Sequence, residues 1–213
     1  MADSRFSQFG WVLAAALIAV LAASGFQTPA MKVGVVDISS VVEQSEFGKA
    51  NTATFEKMKV ARESLLEFVD NNRVLTLEQA DRVKTLWLKP NPTKEESAEL
   101  DTKKAEIVLA AKKSQELATK PNMSPEERTL VEDYARRSQN MEATAQRWYR
   151  EFTSDMQKWA DDQKLQSLAK VRAAIQEVAK AEAYTVILEV GIAPYGANDI
   201  STAVLAKMNE KAP

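Results

Sequence analysis

The sequence predicts a mainly helical protein with a small strand-bearing part, an α+β chain in which a long antiparallel helical hairpin arm stands on a small oligomeric β-body. Three observations lead there. No Pro or Gly occurs between Pro125 and Gly191, short β-branched runs lie near the two ends, and the long stretch between carries a regular apolar seam. A single helix over Pro125–Ala183 would be about 90 Å long, several times the roughly 17 Å radius of gyration of a compact chain of this size. Within it Val131, Tyr134, Ser138, Met141, Ala145, Trp148 and Phe152 alternate at spacings of three and four, which is the seam of a coiled coil. A seam requires a partner helix.

Residues 1–30 read as a signal peptide. Arg5 precedes an uncharged stretch from Phe6 to Ala30 with its apolar centre at Trp11–Ala23, and small residues place cleavage near residues 24–30. As a helix that centre would span about 20 Å, short of the roughly 30 Å hydrocarbon core. Lys32–Asp37 is a β-branched run that reads as a buried strand. A helical pattern follows from about Ser40 to Asn71, through Val41, Phe47, Phe55, Met58, Leu65 and Val69. Thr76 and Gln79 have the form of a capping box and open a short helix to about Leu88. Thr93 with Glu96, and Ser124 with Glu127, repeat that form, the second with Pro125 at the first helical position. The helices over 49–71 and 94–119 are together nearly long enough to run back along the seam in two pieces.

Beyond Trp159 the chain is polar around Asp161-Asp162, and the stripe resumes out of register at Leu165, Leu168, Val171, Ile175 and Val178. Tyr184–Val190 reads as a strand that forms a hairpin with Ile192–Tyr195, the second strand being short or at an edge because Pro194 lacks a donor. Asp199 is placed to cap a final helix. The expected organisation is a signal peptide over 1–30, a strand-bearing oligomerisation body from 31–48 and 183–213, and a coiled-coil arm over 49–182 with an extra helical tip at about 72–125. Isolated strand pairs are marginal in water and leave open edges. Val33, Val35, Val36, Val186, Ile187, Leu188, Val190, Ile192 and Tyr195 are therefore the candidate residues through which copies of the chain assemble.

Composition narrows the chemistry. There is no Cys and no His, which removes thiolate nucleophiles, disulfides, the commonest general base and the usual zinc ligands. The net charge of −2 gives no basic field to gather nucleic acid. No Gly-rich loop followed by Lys-Ser or Lys-Thr exists to cradle a phosphate. Asp161 and Asp162, with Asp155 nearby, assign no metal, because neighbours on a helix face different ways and a hard cation needs several converging oxygens. Asp37 has no acid, base or nucleophile beside it in the sequence and reads as a turn or cap residue. The chain is read as no enzyme, with no cofactor.

Val33-Gly34-Val35-Val36-Asp37, followed by Val41, Ser45 and Gly48-Lys49, resembles the opening of the OmpH/Skp family of periplasmic chaperones. Ala183–Glu189, Tyr195 and Asp199–Leu205 resemble that family's closing strands and last helix. The resemblance implies a homotrimer in which strands from three chains build the body and three arms surround a cavity. Unfolded outer-membrane proteins would be held there without ATP, in the periplasm. The chain departs from the family's strongly basic members in being slightly acidic, and its segment from Asn72 to Pro125 is longer than a simple arm tip. The alternative from another class is a structural coiled-coil protein of the cell envelope, anchored by an uncleaved Trp11–Ala23 segment.

An aromatic and Met cluster at Trp148, Tyr149, Phe152, Met156 and Trp159 is the most distinctive feature of the long helix. Trp148 and Phe152 lie on the seam and belong to the core. Tyr149, Met156 and Trp159 remain as candidate client contacts, since adaptable apolar surfaces suit promiscuous partners. Trp87, beside the Pro-rich break, is a fourth candidate, as a tip contact or as the pin of a loop.

Overall fold

The computed structural model describes residues 31–194, 196 and 198–210. The expected signal peptide and Tyr195 lie outside the described residues. In chain order the elements are β1 (Val33–Val36), α1 (Ile38–Gln44), α2 (Glu46–Asn71), α3 (Leu77–Trp87), α4 (Lys94–Ala118), α5 (Pro125–Ala181), β2 (Val186–Glu189) and α6 (Ser201–Glu210).

Local chemistry sets most helix starts. Thr76, Thr93 and Ser124 each accept from the third helical amide, while Gln79, Glu96 and Glu127 reach back to the cap amide, so all three expected capping boxes form. The two later loops share one construction. Lys89 precedes Pro90-Asn91 and pairs with Glu96 at 2.5 Å, and Lys120 precedes Pro121-Asn122 and pairs with Glu127 at 2.6 Å. In both, one carboxylate oxygen holds the Lys and the other the cap amide. Asp37 is a cap, its carboxylate accepting from Ser40 N at 2.8 Å.

The helix expected from Ser40 to Asn71 is broken at Ser45. Ser45 is buried, accepts from Gly48 N and donates to Val42 O at 2.7 Å, which ends α1 and caps α2 in one residue. The sharp junction brings the Val42 carbonyl within 1.9 Å of where a Cβ on Gly48 would stand. Only Gly fits there.

β1 and β2 form a two-stranded parallel sheet with Val33 opposite Val186 and Val36 opposite Glu189. The expected hairpin over Val186–Tyr195 does not form among the described residues. After Glu189 the chain turns, with Ile192 N and Ala193 N both donating to Glu189 O, and passes to the other edge of β1. There Val35 N donates to Asn198 O and Ile200 N to Val35 O. β1 is thereby flanked on both sides, while the outer edge of β2 has no strand beside it among the described residues. The physical reason is Pro194 and the short turn, which deny Ile192 and its neighbours an antiparallel register against β2.

Three cores lie along the molecule. At the strand end Val36, Val41, Val171, Ala174, Val178, Ile200, Val204 and Met208 pack together, with Ile187 and Tyr184 against them. At the far end Leu65, Val69, Leu75, Ala80, Val83, Ile107, Met141, Trp148 and Phe152 join α2, α3, α4 and α5. A third cluster, Val74, Ala111, Leu117 and Tyr134, closes the α4–α5 turn. The seam residues Tyr134, Met141, Trp148 and Phe152 are buried as expected, but Leu165 is 67% exposed and Ser167 takes its buried place. The shifted register after Asp161-Asp162 begins two residues later than the apolar pattern suggests.

Candidate functional site

α2 runs antiparallel to α5, and the contacts fix the register: Phe55 meets Trp159 with ring centroids 6.0 Å apart, and the Arg62 guanidinium lies over the Phe152 ring at 5.5 Å. Between the strand-end and far-end cores this pair is bordered by α1 at its strand-end side, through Ile38 and Val42. No residue from 49 to 64 on α2 or from 153 to 166 on α5 is fully buried. Each stretch is about 20 Å long, and it forms a waist whose apolar side chains are covered on one side only.

Two adjoining cavities open along the waist. One, of about 390 Å³, is lined by Phe55, Arg62, Leu66, Tyr149, Phe152 and Met156, among others. The next, of about 520 Å³, shares Phe55 and Ala160 with it and continues past Trp159, Val42, Ile38 and Leu168 toward the strand end. Together they make a mostly apolar groove of the size that receives small ligands or a few peptide side chains.

The structure brings three of the four candidate contacts to this groove. Tyr149 is 64% exposed, Met156 is half-buried in the wall, and Trp159 is half-buried against Phe55. Trp87 lies elsewhere, on α3, packed on Phe68 at 5.3 Å with the Lys104 ammonium 4.7 Å over its ring. It pins α3 to α2 and α4. Sequence reasoning placed Phe55 in the helical stripe but passed over its role in the groove, together with Leu66 and Arg62. Phe55 is on a helical stripe and so reads as core, yet it is only half-buried, in the wall that the two cavities share.

The candidate body residues divide by face. Val36 and Ile187 point into the strand-end core. Val33, Val186 and Leu188 share the opposite face by register, where Val186 is 37% exposed. Val35 on that face is buried, approached so closely from Gly196 that a Cβ there would lie 2.0 Å from it. Val190 donates to Val36 O, and Ile192 is 76% exposed in the turn.

Charges near the groove are unevenly used. The Glu151 carboxyl, on the far side of α5, is held below its ordinary range chiefly by the hydrogen bond from Lys84. In the groove lining, Lys59, Arg62 and Glu63 make no ion pair among the described residues. Arg62 spends Nη1 on the Met58 carbonyl at 3.1 Å, and its buried Nε has no partner. No group of three or more Asp, Glu, His or Cys gathers among the described residues, and no described helix is long and apolar enough to cross a membrane.

A family model described as outer membrane protein (OmpH-like) matches residues 32–208. The chain belongs to the OmpH-like family. The match begins at β1 and ends within α6, so both strands, the groove and the far-end helices lie inside the OmpH-like region. The OmpH-like family is associated with periplasmic chaperones of outer-membrane proteins and not with enzymes. No curated protein sequence matches the chain significantly.

Proposed function

We propose that the protein is an ATP-independent holdase that binds unfolded outer-membrane proteins in the periplasm, between helical arms formed by the α2–α5 pair and its far-end helices. The observation that carries this reading is the waist groove, a mostly apolar surface about 20 Å long with Tyr149 exposed and Phe55, Met156 and Trp159 only half-buried in its lining. Many weak apolar contacts suit clients without a fixed shape, and residence comes from their number and not from any single tight contact. Copies of the chain assemble as a trimer through the open β2 edge and the Val33, Val186 and Leu188 face, so that three grooves surround one cavity.

The purified protein is expected to suppress aggregation of a denatured β-barrel client at stoichiometric amounts without nucleotide, and its native mass is expected to be that of three chains. The triple substitution Phe55→Ser, Tyr149→Ser and Met156→Ser is expected to reduce protection several-fold at unchanged native mass. A wild-type protein that gives no protection overturns the proposal.

A further inference from the structure

The chain has seven Met and no Cys, so an oxidant that attacks sulfur can act only on thioethers. Position separates the methionines. Met141 and Met208 lie in the far-end and strand-end cores, 1% and 5% exposed, and are shielded from solvent. Met31, Met58 and Met123 are at least partly exposed but line neither groove cavity. Met156 combines the two properties that matter: it is only half-buried, and it forms part of the groove wall. Along α5 the lining of the two cavities runs from Tyr149 to Leu168, so Met156 stands well inside it, with Phe152 one turn before, Ala160 one turn after and Phe55 across on α2. It belongs to none of the three cores.

That position couples oxidation to binding. A lone pair on the sulfur attacks one oxygen of hydrogen peroxide, the S–O bond forming as the O–O bond breaks. The sulfur loses two electrons, and the proton on the transferred oxygen passes to the departing hydroxide, which leaves as water. The product is a sulfoxide, a polar acceptor where an apolar group stood. An apolar client laid against the wall would bury that S=O without a donor to meet it, which opposes binding. The cores lose nothing, because Met156 is in none of them. We propose that Met156 is an oxidation site for peroxides, and that its sulfoxide weakens the hold of the groove on apolar clients while the helices stay packed. Resting on the holdase reading, this adds a control to the same groove. Two consequences follow from the chemistry. A client that covers the wall shields the sulfur and slows its oxidation. A sulfoxide reductase fed by a dithiol restores the thioether, the oxygen leaving as water and the dithiol becoming a disulfide.

The test treats the full protein with graded hydrogen peroxide, removes the oxidant, and maps the sulfoxide at each methionine by peptide mass spectrometry. Met156 is expected to be oxidised at least about tenfold faster than Met141 and Met208, following exposure. Binding of a labelled, Met-free octapeptide that alternates phenylalanine and serine should weaken about tenfold in step with the Met156 sulfoxide, at unchanged native mass and helix content. Reductase and dithiol should bring the affinity back. Each variant is judged against its own untreated level: Met156→Leu should lose no affinity on treatment, whereas Met58→Leu, outside the groove lining, should lose it as the wild type does. Saturating peptide present during treatment should slow oxidation at Met156 several-fold and leave the rate at Met31 unchanged. The inference is overturned by oxidation of Met156 no faster than that of Met141, or by a loss of affinity that persists in Met156→Leu. Full affinity and full suppression of aggregation in protein completely oxidised at Met156 sink this inference alone. Untreated protein that neither binds the peptide nor suppresses aggregation sinks the holdase reading beneath it.

Discussion

Ala183 is the single non-glycine residue with a positive φ, 57°, among the described residues. It follows the last turn of α5, and Tyr184 N donates to Ala179 O at 2.9 Å across it, the bond pattern that closes helices with a left-handed residue, most often Gly. An alanine there carries roughly 1–2 kcal/mol of steric strain, partly offset by the looser unfolded chain of glycine. Ala183→Gly is therefore expected to raise stability by about 1 kcal/mol, read as a higher denaturant midpoint. The reverse holds at Gly48, where a methyl group would meet the Val42 carbonyl at 1.9 Å. Gly48→Ala is expected to lower stability by about 3 kcal/mol, the upper end for forced overpacking, because backbone and not a flexible side chain must move. A midpoint unchanged in that variant would mean that the α1–α2 junction is slack.

The element most exposed to a simple test is the pair of like loops that open α4 and α5. Ser124→Ala removes the cap of a 57-residue helix and should lower stability by about 1 kcal/mol. The carboxyls of Glu96 and Glu127 are held below their ordinary value of 4.5, first by the hydrogen bonds from Lys89 and Lys120 and then by the backbone amides of Thr93 and Ser124. A carboxyl with a depressed folded pKa favours the folded state fully above its unfolded pKa, and that contribution vanishes as pH falls through the folded value. The difference in thermal midpoint between wild type and the double variant Glu96→Gln, Glu127→Gln should thus be constant near neutral pH and close as pH drops below 4.5. A gap that persists into acid would show that the loops are held by something other than these carboxylates.

At the scale of the whole molecule, two cored ends are joined by a waist without buried residues. Local opening follows the density of buried apolar contacts, so amide exchange over residues 50–63 and 154–166 is expected to be faster than over 65–87 and 200–208. The far end, with Trp148 at its centre and 1% exposed, should be the more protected partner, and Trp148→Ala should weaken it by roughly 3–5 kcal/mol. Uniform protection along α5 would contradict the division into cores and waist. The same sparse packing that is expected to loosen the waist leaves its groove open.

By itself the sequence determined what depends on neighbours within a turn or two of the chain. Thr76, Thr93 and Ser124 start helices because a cap and its partner are three residues apart, and helical periodicity alone puts Tyr134, Met141, Trp148 and Phe152, all buried, on one face. Family membership was legible in the short runs at the two ends, through their order along the chain. Tertiary structure alone decided the parallel pairing of β1 with β2, since the strands are separated by more than a hundred residues and a four-residue run carries no preference for direction. It also decided the break at Ser45, where Asn209 from the last helix accepts from Glu46 N at 3.0 Å. In the groove, the sequence could mark Tyr149, Met156 and Trp159 as adaptable apolar residues, but not that Phe55 would stay uncovered or Arg62 unpaired. Exposure and an unmet hydrogen bond depend on what else arrives in space, and at the waist nothing arrives that fully buries a residue of 49–64 or 153–166.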